Sequence, residues 1–251
     1  MNMLSTMIIF EYPLNEKMRT WLRLESILRH LFNNTPLVGH SQLLFFLQML
    51  SSLLDILERY DSRSDLLKAL EIQQQKLSQW ANLPGVDMPR LSQLQQQLSH
   101  CRSELLAASR LGQALREDPL LSTIRQRLIT PGNGYSFDLP MLHYWLHQPP
   151  AGDHEQQITA WLATLQPLQR ALKLYLNLLR QAVPFRQQQA TQGFYKNKTE
   201  VGILLRLQLE CQQKLFPQIS AHKNCFAISF FAAPGNTEKI PEQLSFGLAC
   251  C

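Results

Sequence analysis

Near residue 184 the hydrophobic period of the chain changes, and this change limits the possible folds more than any other feature. Before it, apolar residues recur every three or four positions; from Gly193 onward they alternate with polar ones at a period of two. Helices followed by strands argue against alternating βαβ units and predict an α+β fold with a helical module and a separate, smaller antiparallel β module. One strand signal stands apart, Ile8-Ile9-Phe10-Glu11-Tyr12, stopped by Pro13. A lone strand cannot satisfy its backbone N–H and C=O groups, so it is expected to join the C-terminal strands. The expected domains are therefore 14–186, helical, and 1–13 with 190–251, β.

Within the helical part, Asn15 is placed to cap a first helix carrying Met18, Trp21, Leu22, Leu28 and Leu31 at helical spacing, with Arg19 and Arg23 opposite. A second helix from about Ser41 is apolar nearly all round and ends in Glu58, Arg59 and Tyr60, as a central buried helix would. Next, Leu67, Leu70, Gln74, Leu77 and Ala81 follow a 3-4 spacing; after Leu83-Pro84-Gly85, so do Leu91, Leu94, Leu98, Cys101, Leu105 and Ala108. Two such seams around a short turn imply an antiparallel helical hairpin, which either packs back on the bundle or projects as an arm. Asp118-Pro119 and Asp138 with Pro140 read as starts of two shorter helices, with a turn at Pro131-Gly132-Asn133-Gly134 between them. A long helix then runs from Asp153 to about Val183, with a kink expected at Pro167.

The strands are read from Leu205, Leu207 and Leu209, then Phe226, Ile228 and Phe230, then Leu244, Phe246, Leu248 and Cys250, the last two runs joined by a hairpin or loop. At 45% hydrophobic and 17% charged, with 27 glutamines, the chain is globular and its polar faces are dressed largely with amides. Lys+Arg 24 against Asp+Glu 19 gives +5, which suits an acidic partner of some kind. Five cysteines without a CxxC indicate neither a disulfide framework nor a zinc ribbon, and a reducing cytosol is the natural compartment. No signal peptide or membrane span is expected: the longest apolar stretch, Leu43 to Leu57, is broken by Gln48, Ser51, Ser52 and Asp55.

Familiar catalytic constellations fail on spacing. The chain has no Gly-rich phosphate loop, GxSxG, HExxH or EF-hand, so neither an enzyme nor a cofactor is expected. His143 and His147 stand at i,i+4, but a metal needs further ligands that no neighbouring segment offers. Cys250 continues the apolar alternation of its strand and reads as core. What remains is basic clustering: Arg19 with Arg23, Arg59, Arg125 with Arg127, and His222-Lys223. Planar guanidinium donors bind both oxygens of a carboxylate, although any one arginine is as well explained by an internal pair or a solvated face.

The strings FEYPLNEKMRTWLRLE, SFDLPMLHYWLH, PQISAHKNCFAISF and the terminal FGLACC resemble the ZapD family of bacterial cell-division proteins, from the first strand to the last residue. The resemblance implies a non-enzymatic, cytoplasmic homodimer at the midcell division ring. Such a dimer binds the C-terminal tail of the tubulin-like GTPase FtsZ in a basic pocket between its helical and β parts and cross-links filaments. Arg23 in the WLR string, Arg59 after LLDILE and His143 in LPMLHYWLH match the family's positions. The chain departs where Pro119 follows LRED in place of a basic residue, and where Cys225 and Ser229 replace strand arginines. Arg116, Lys223 and Arg19 complete the expected partner-binding set. Neither nucleic acid nor membrane is an expected partner; the rival readings are a basic nucleic-acid-binding protein and a purely structural coiled-coil adaptor.

Overall fold

The computed structural model describes residues 7–33, 40–81, 83–128, 137–147, 152–198, 202–222, 225–235 and 240–251. Lys223 and the turn at 131–134 lie outside them. In chain order the elements are β1 (Met7–Pro13), α1 (Glu16–Asn33), α2 (His40–Arg59), α3 (Ser62–Trp80), α4 (Met88–Ala107), α5 (Gln113–Glu117), α6 (Pro119–Leu128), α7 (Pro140–His147) and α8 (Gly152–Ala182). Six strands follow: β2 (Arg186–Thr191), β3 (Phe194–Lys198), β4 (Leu204–Glu210), β5 (Leu215–His222), β6 (Cys225–Ala232) and β7 (Gln243–Cys250). The chain divides into two compact units. One combines the described residues up to Leu22 with Asn177–Cys251, and the other is Arg23–Leu176. Helices and an antiparallel sheet in this order make the α+β class that the change of period implies.

In the helical unit three helices are capped by carboxylates, of which the sequence reading had named Asp118. Asp61 Oδ1 accepts from Ser64 N at 3.2 Å, Asp87 Oδ1 from Arg90 N at 3.1 Å, and Asp118 Oδ1 from Leu120 and Leu121 N at 2.9 and 3.0 Å. For α7 the start is one residue later than expected: Leu139 O takes the first helical bond, from His143 N, so Asp138 lies outside the cap. On α2, Leu43, Phe46, Leu47, Leu50, Leu53 and Leu54 are buried. This helix alone among the described residues is long and apolar enough to cross a membrane, yet its buried stripe and the Asp55–Arg125 ion pair are those of a core helix. The long α8 continues as α-helix through Pro167.

The hairpin α3–α4 forms as expected, with Gly85 at φ +84° in its turn. On α3 the expected seam residues Leu70 and Leu77 are buried, while Leu66 is buried in place of Leu67. At its base Arg170 pairs with Glu104 at 2.7 Å and Arg63 Nη2 donates to Leu106 O at 2.6 Å. Toward the tip Ile72, Trp80, Leu83 and Met88 are each about half exposed, and among the described residues only Leu77 and Leu91 are buried there. Of the two arrangements the pattern allowed, the hairpin is an arm anchored at its base.

In the other unit seven strands form one antiparallel sheet in the order β1-β4-β7-β2-β3-β6-β5. β1 pairs along its whole length with β4, Met7 opposite Glu210 through Pro13 opposite Leu204, as its unsatisfied backbone requires. β2 and β3 are joined by the two-residue turn Gln192-Gly193, both at positive φ (+50° and +73°), which matches the right-handed twist of a hairpin. The alternation of β4, β6 and β7 turns Leu205, Leu207, Leu209, Phe226, Ile228, Phe230, Leu244, Phe246 and Leu248 to one buried face. Phe230 on β6 and Phe246 on β7 have two strands between them, so a flat sheet would hold them roughly 14 Å apart at ~4.8 Å per strand. Their ring centroids are 5.0 Å apart, so the sheet is curled and its apolar face packs on itself.

One expectation needs correction. Strand structure begins at Arg186, inside the glutamine run that the period-two reading passed over, because Arg186-Gln187-Gln188-Gln189 is paired to β7 by backbone bonds while only Ala190 is buried. Of the hairpin or loop expected between β6 and β7, the sheet order leaves the loop, because β2 and β3 lie between those strands.

Candidate functional site

Charge in the helical unit gathers where α2 ends. Arg125 on α6 reaches Asp55 Oδ1 at 2.7 Å and Glu58 Oε1 at 3.1 Å, and Arg116 on α5 lies with Nε 4.0 Å from the same Glu58 oxygen. The Arg125 hydrogen bond, with the charges of Arg125, Arg116 and Arg110 behind it, holds the Glu58 carboxyl below the usual glutamate range. Burial penalises the Arg125 cation, and its bonds to Glu58 and Asp55 outweigh that penalty. Arg116 also donates from Nη2 to Leu111 O at 3.0 Å, so its guanidinium is committed internally and fixes the α5 turn against the end of α2.

Arg59, the next residue after this clamped Glu58, is exposed and its side chain has no hydrogen bond or ion pair among the described residues. Arg23 on α1 is likewise exposed and without such a partner. α1 lies beside α2, the His30 ring 6.1 Å edge-on to Phe45, and α6 packs on both α2 and α7. On α7, His143 is exposed, its carbonyl 2.8 Å from His147 Nδ1 and its ring centroid 4.3 Å from that of His147. Arg23, Arg59 and His143 thus occupy exposed positions on neighbouring helices of one unit. Arg19 falls in the other unit, 3.2 Å from Glu16 and with its guanidinium 5.8 Å from the Tyr12 ring centroid.

Helix α7 is held by its indole. Trp145 Nε1 donates to Gln157 Oε1 at 2.8 Å, and the Trp145 carbonyl meets His154 Nε2 at 2.5 Å. Asp118 works twice, capping α6 through Oδ1 and accepting Trp161 Nε1 through Oδ2 at 2.9 Å. Among the described residues no group of three or more His, Cys, Asp or Glu is arranged to hold a metal ion. Burial pushes the Cys250 thiol up in pKa, as for a core cysteine packed against the sheet interior.

Two features escaped sequence reasoning. The carboxylates that neutralise Arg125 come from α2, 67 and 70 residues away, and no local pattern shows such a pairing. In the sheet unit Glu11 accepts Arg180 Nε and Nη2 at 2.8 and 2.7 Å, with Arg206 directly opposite it in register, Nε 3.3 Å from Oε1 but outside hydrogen-bond geometry. A glutamate inside the apolar run Ile8–Tyr12 was the available signal, since a charge there asks for a partner.

The family model described as "Cell division protein", ZapD, matches residues 22–229. The curated "Cell division protein ZapD" of Shigella boydii serotype 4 is 48% identical over 248 residues, covering 99% of this chain and all of that protein. The protein of the same description from Escherichia coli O1:K1 matches to the same extent. A match of this length and identity, on a chain with this segregated helix-then-sheet order, places it: the chain belongs to the ZapD family of cell-division proteins.

Proposed function

We propose that the protein acts in division as a homodimeric crosslinker of FtsZ filaments, binding the FtsZ C-terminal tail through Arg23, Arg59 and His143. The observation that carries this reading is the exposure of Arg23 and Arg59 without internal side-chain partners, beside Arg125 and Arg116 of the same unit, which are held by Asp55, Glu58 and Leu111. A guanidinium that the fold does not use is available to a carboxylate from outside. Arg116 sets the end of α2 from which Arg59 projects, and Arg19 and Lys223 add positive charge. The reaction is binding, without catalysis or cofactor, at the cytoplasmic face of the midcell ring. Each tail contact is weak, and a dimer facing a filament with many tails gains through effective concentration.

Co-sedimentation with FtsZ, intact and lacking its tail, tests this. Intact filaments are expected to carry the protein down and bundle, and tail-less ones to leave it in solution. Replacing Arg23, Arg59 and His143 together should abolish pelleting, and raising ionic strength from ~0.05 to ~0.3 M should weaken it as the screening length falls through about 10 Å. Pelleting by the triple variant would favour the second reading, a structural adaptor acting through the half-exposed apolar residues of the hairpin arm.

A further inference from the structure

We propose that the outer face of the sheet across β3, β6 and β5 binds single-stranded nucleic acid. Phe226, Ile228 and Phe230 are buried, so strand alternation turns Ala227, Ser229 and Phe231 to the opposite face of β6. Register extends that face to both sides. On β3, Phe194 stands opposite Ser229, Lys196 opposite Ala227 and Lys198 opposite Cys225. On β5, Phe216 stands opposite Phe231 and His222 opposite Cys225. Three strands and four rows of outward residues cover roughly 10 by 20 Å, at ~4.8 Å per strand and ~3.4 Å per residue.

This face is open, and its charge has one sign. Phe194 is 50% and Phe231 41% exposed, and Lys196, Lys198 and His222 are exposed without an ion pair among the described residues. The described residues of β2, β3, β5, β6 and β7 include no Asp or Glu, so nothing on these strands offsets the lysines. Rings gather at one end of the face and cations at the other. Phe231 stacks on Phe216, the centroids 5.9 Å apart and the planes at 29°. Phe194 is the diagonal cross-strand neighbour of Phe231, a relation that puts two side chains about 7 Å apart. Between rings and lysines the floor is small and uncharged, Ala227 and Ser229.

An acidic peptide and a nucleic acid both carry the complementary charge, and the rings decide between them. The face of an aromatic ring is electron-rich and repels a carboxylate, whereas a nucleobase stacks on it. Lysine binds phosphate well as a point charge and lacks the planar fork that suits a carboxylate. A duplex hides the faces of its bases, so only an unpaired strand uses rings and lysines together. All of these residues belong to the sheet unit, whereas Arg23, Arg59 and His143 belong to the helical one, so this surface is independent of tail binding by those three.

The test is fluorescence anisotropy of labelled oligothymidine with the full chain, beside a labelled duplex of the same length and a labelled polyglutamate. The single strand is expected to bind saturably and more tightly than either, with log affinity falling against log salt at a slope of about −1.4 for two neutralised phosphates. Phe194→Ser should weaken binding about tenfold and leave that slope unchanged, and Phe194→Tyr, which keeps a ring, should retain binding. Lys196→Gln with Lys198→Gln should weaken binding and bring the slope near zero. All three positions are exposed, so the thermal midpoint of each variant should stay within about 2 °C of the unaltered chain. No binding of the single strand, a duplex or polyglutamate bound as tightly, or unchanged affinity in Phe194→Ser or in the lysine variant overturns the proposal.

Discussion

Replacing Glu11 by glutamine keeps the shape of the side chain and removes its charge, and the structure indicates what that costs. The carboxylate is 22% exposed and is held by Arg180, 20% exposed, and by Arg206, 12% exposed, its direct cross-strand neighbour. Arg206 is fixed from two further sides: Nη1 donates to Arg180 O at 2.5 Å and its guanidinium lies 4.8 Å from the Phe185 ring centroid. Neither arginine can swing away from the other once the glutamate is neutral. Removing one partner of a buried pair costs about 3–5 kcal/mol, and the residual exposure here argues for about 2–3 kcal/mol. For a chain of this length that is a fall of roughly 5–10 °C in the thermal midpoint. Calorimetry on Glu11→Gln, Arg206→Gln and the double variant measures it, and the double variant should lose less than the sum of the singles by about 1 kcal/mol. A single-variant loss under about 0.5 kcal/mol, or strict additivity, would refute the idea that this carboxylate holds the edge strand in place.

Gly193→Ala puts a Cβ at φ +73° and 3.0 Å from Ile240 Cγ2, so it should cost about 1–2 kcal/mol by denaturant melt. Gln192→Gly at the other turn position should be neutral or stabilising. Asp118→Ala loses the α6 cap and the acceptor of Trp161, an expected loss of about 2 kcal/mol with a red shift in tryptophan emission. The depressed Glu58 carboxyl stabilises the fold fully above its unfolded pKa, near 4.5, and that contribution fades as pH falls through the lower folded value. Glu58→Gln should therefore flatten the acid limb of midpoint against pH, and an unchanged limb would count against the Arg125 clamp. Trp80→Ser with Leu83→Ser should alter stability by no more than about 0.5 kcal/mol, and in the proposed homodimer should reduce self-association in sedimentation velocity.

Sequence periodicity alone determined the class of the fold, because a helix and a strand each stamp their repeat on any side chains that must be buried. Asn15 and Asp118 were legible as caps for the same local reason, and β1 was assignable to the C-terminal strands from the need to pair its backbone. The exposed candidates Arg23, Arg59 and His143 came from matched strings, which carry position but not surroundings. Which arginines are free was decided only in three dimensions. Arg125 and Arg59 look alike in the sequence, yet Arg125 is neutralised by carboxylates about 70 residues distant and Arg59 is not. The glutamine strand β2, the curling that brings Phe230 to Phe246, and the Glu11–Arg180–Arg206 cluster likewise depend on partners far along the chain. Local patterns record what a residue must do with its neighbours in sequence; the partner of a charge or a strand is set by the packing of the whole.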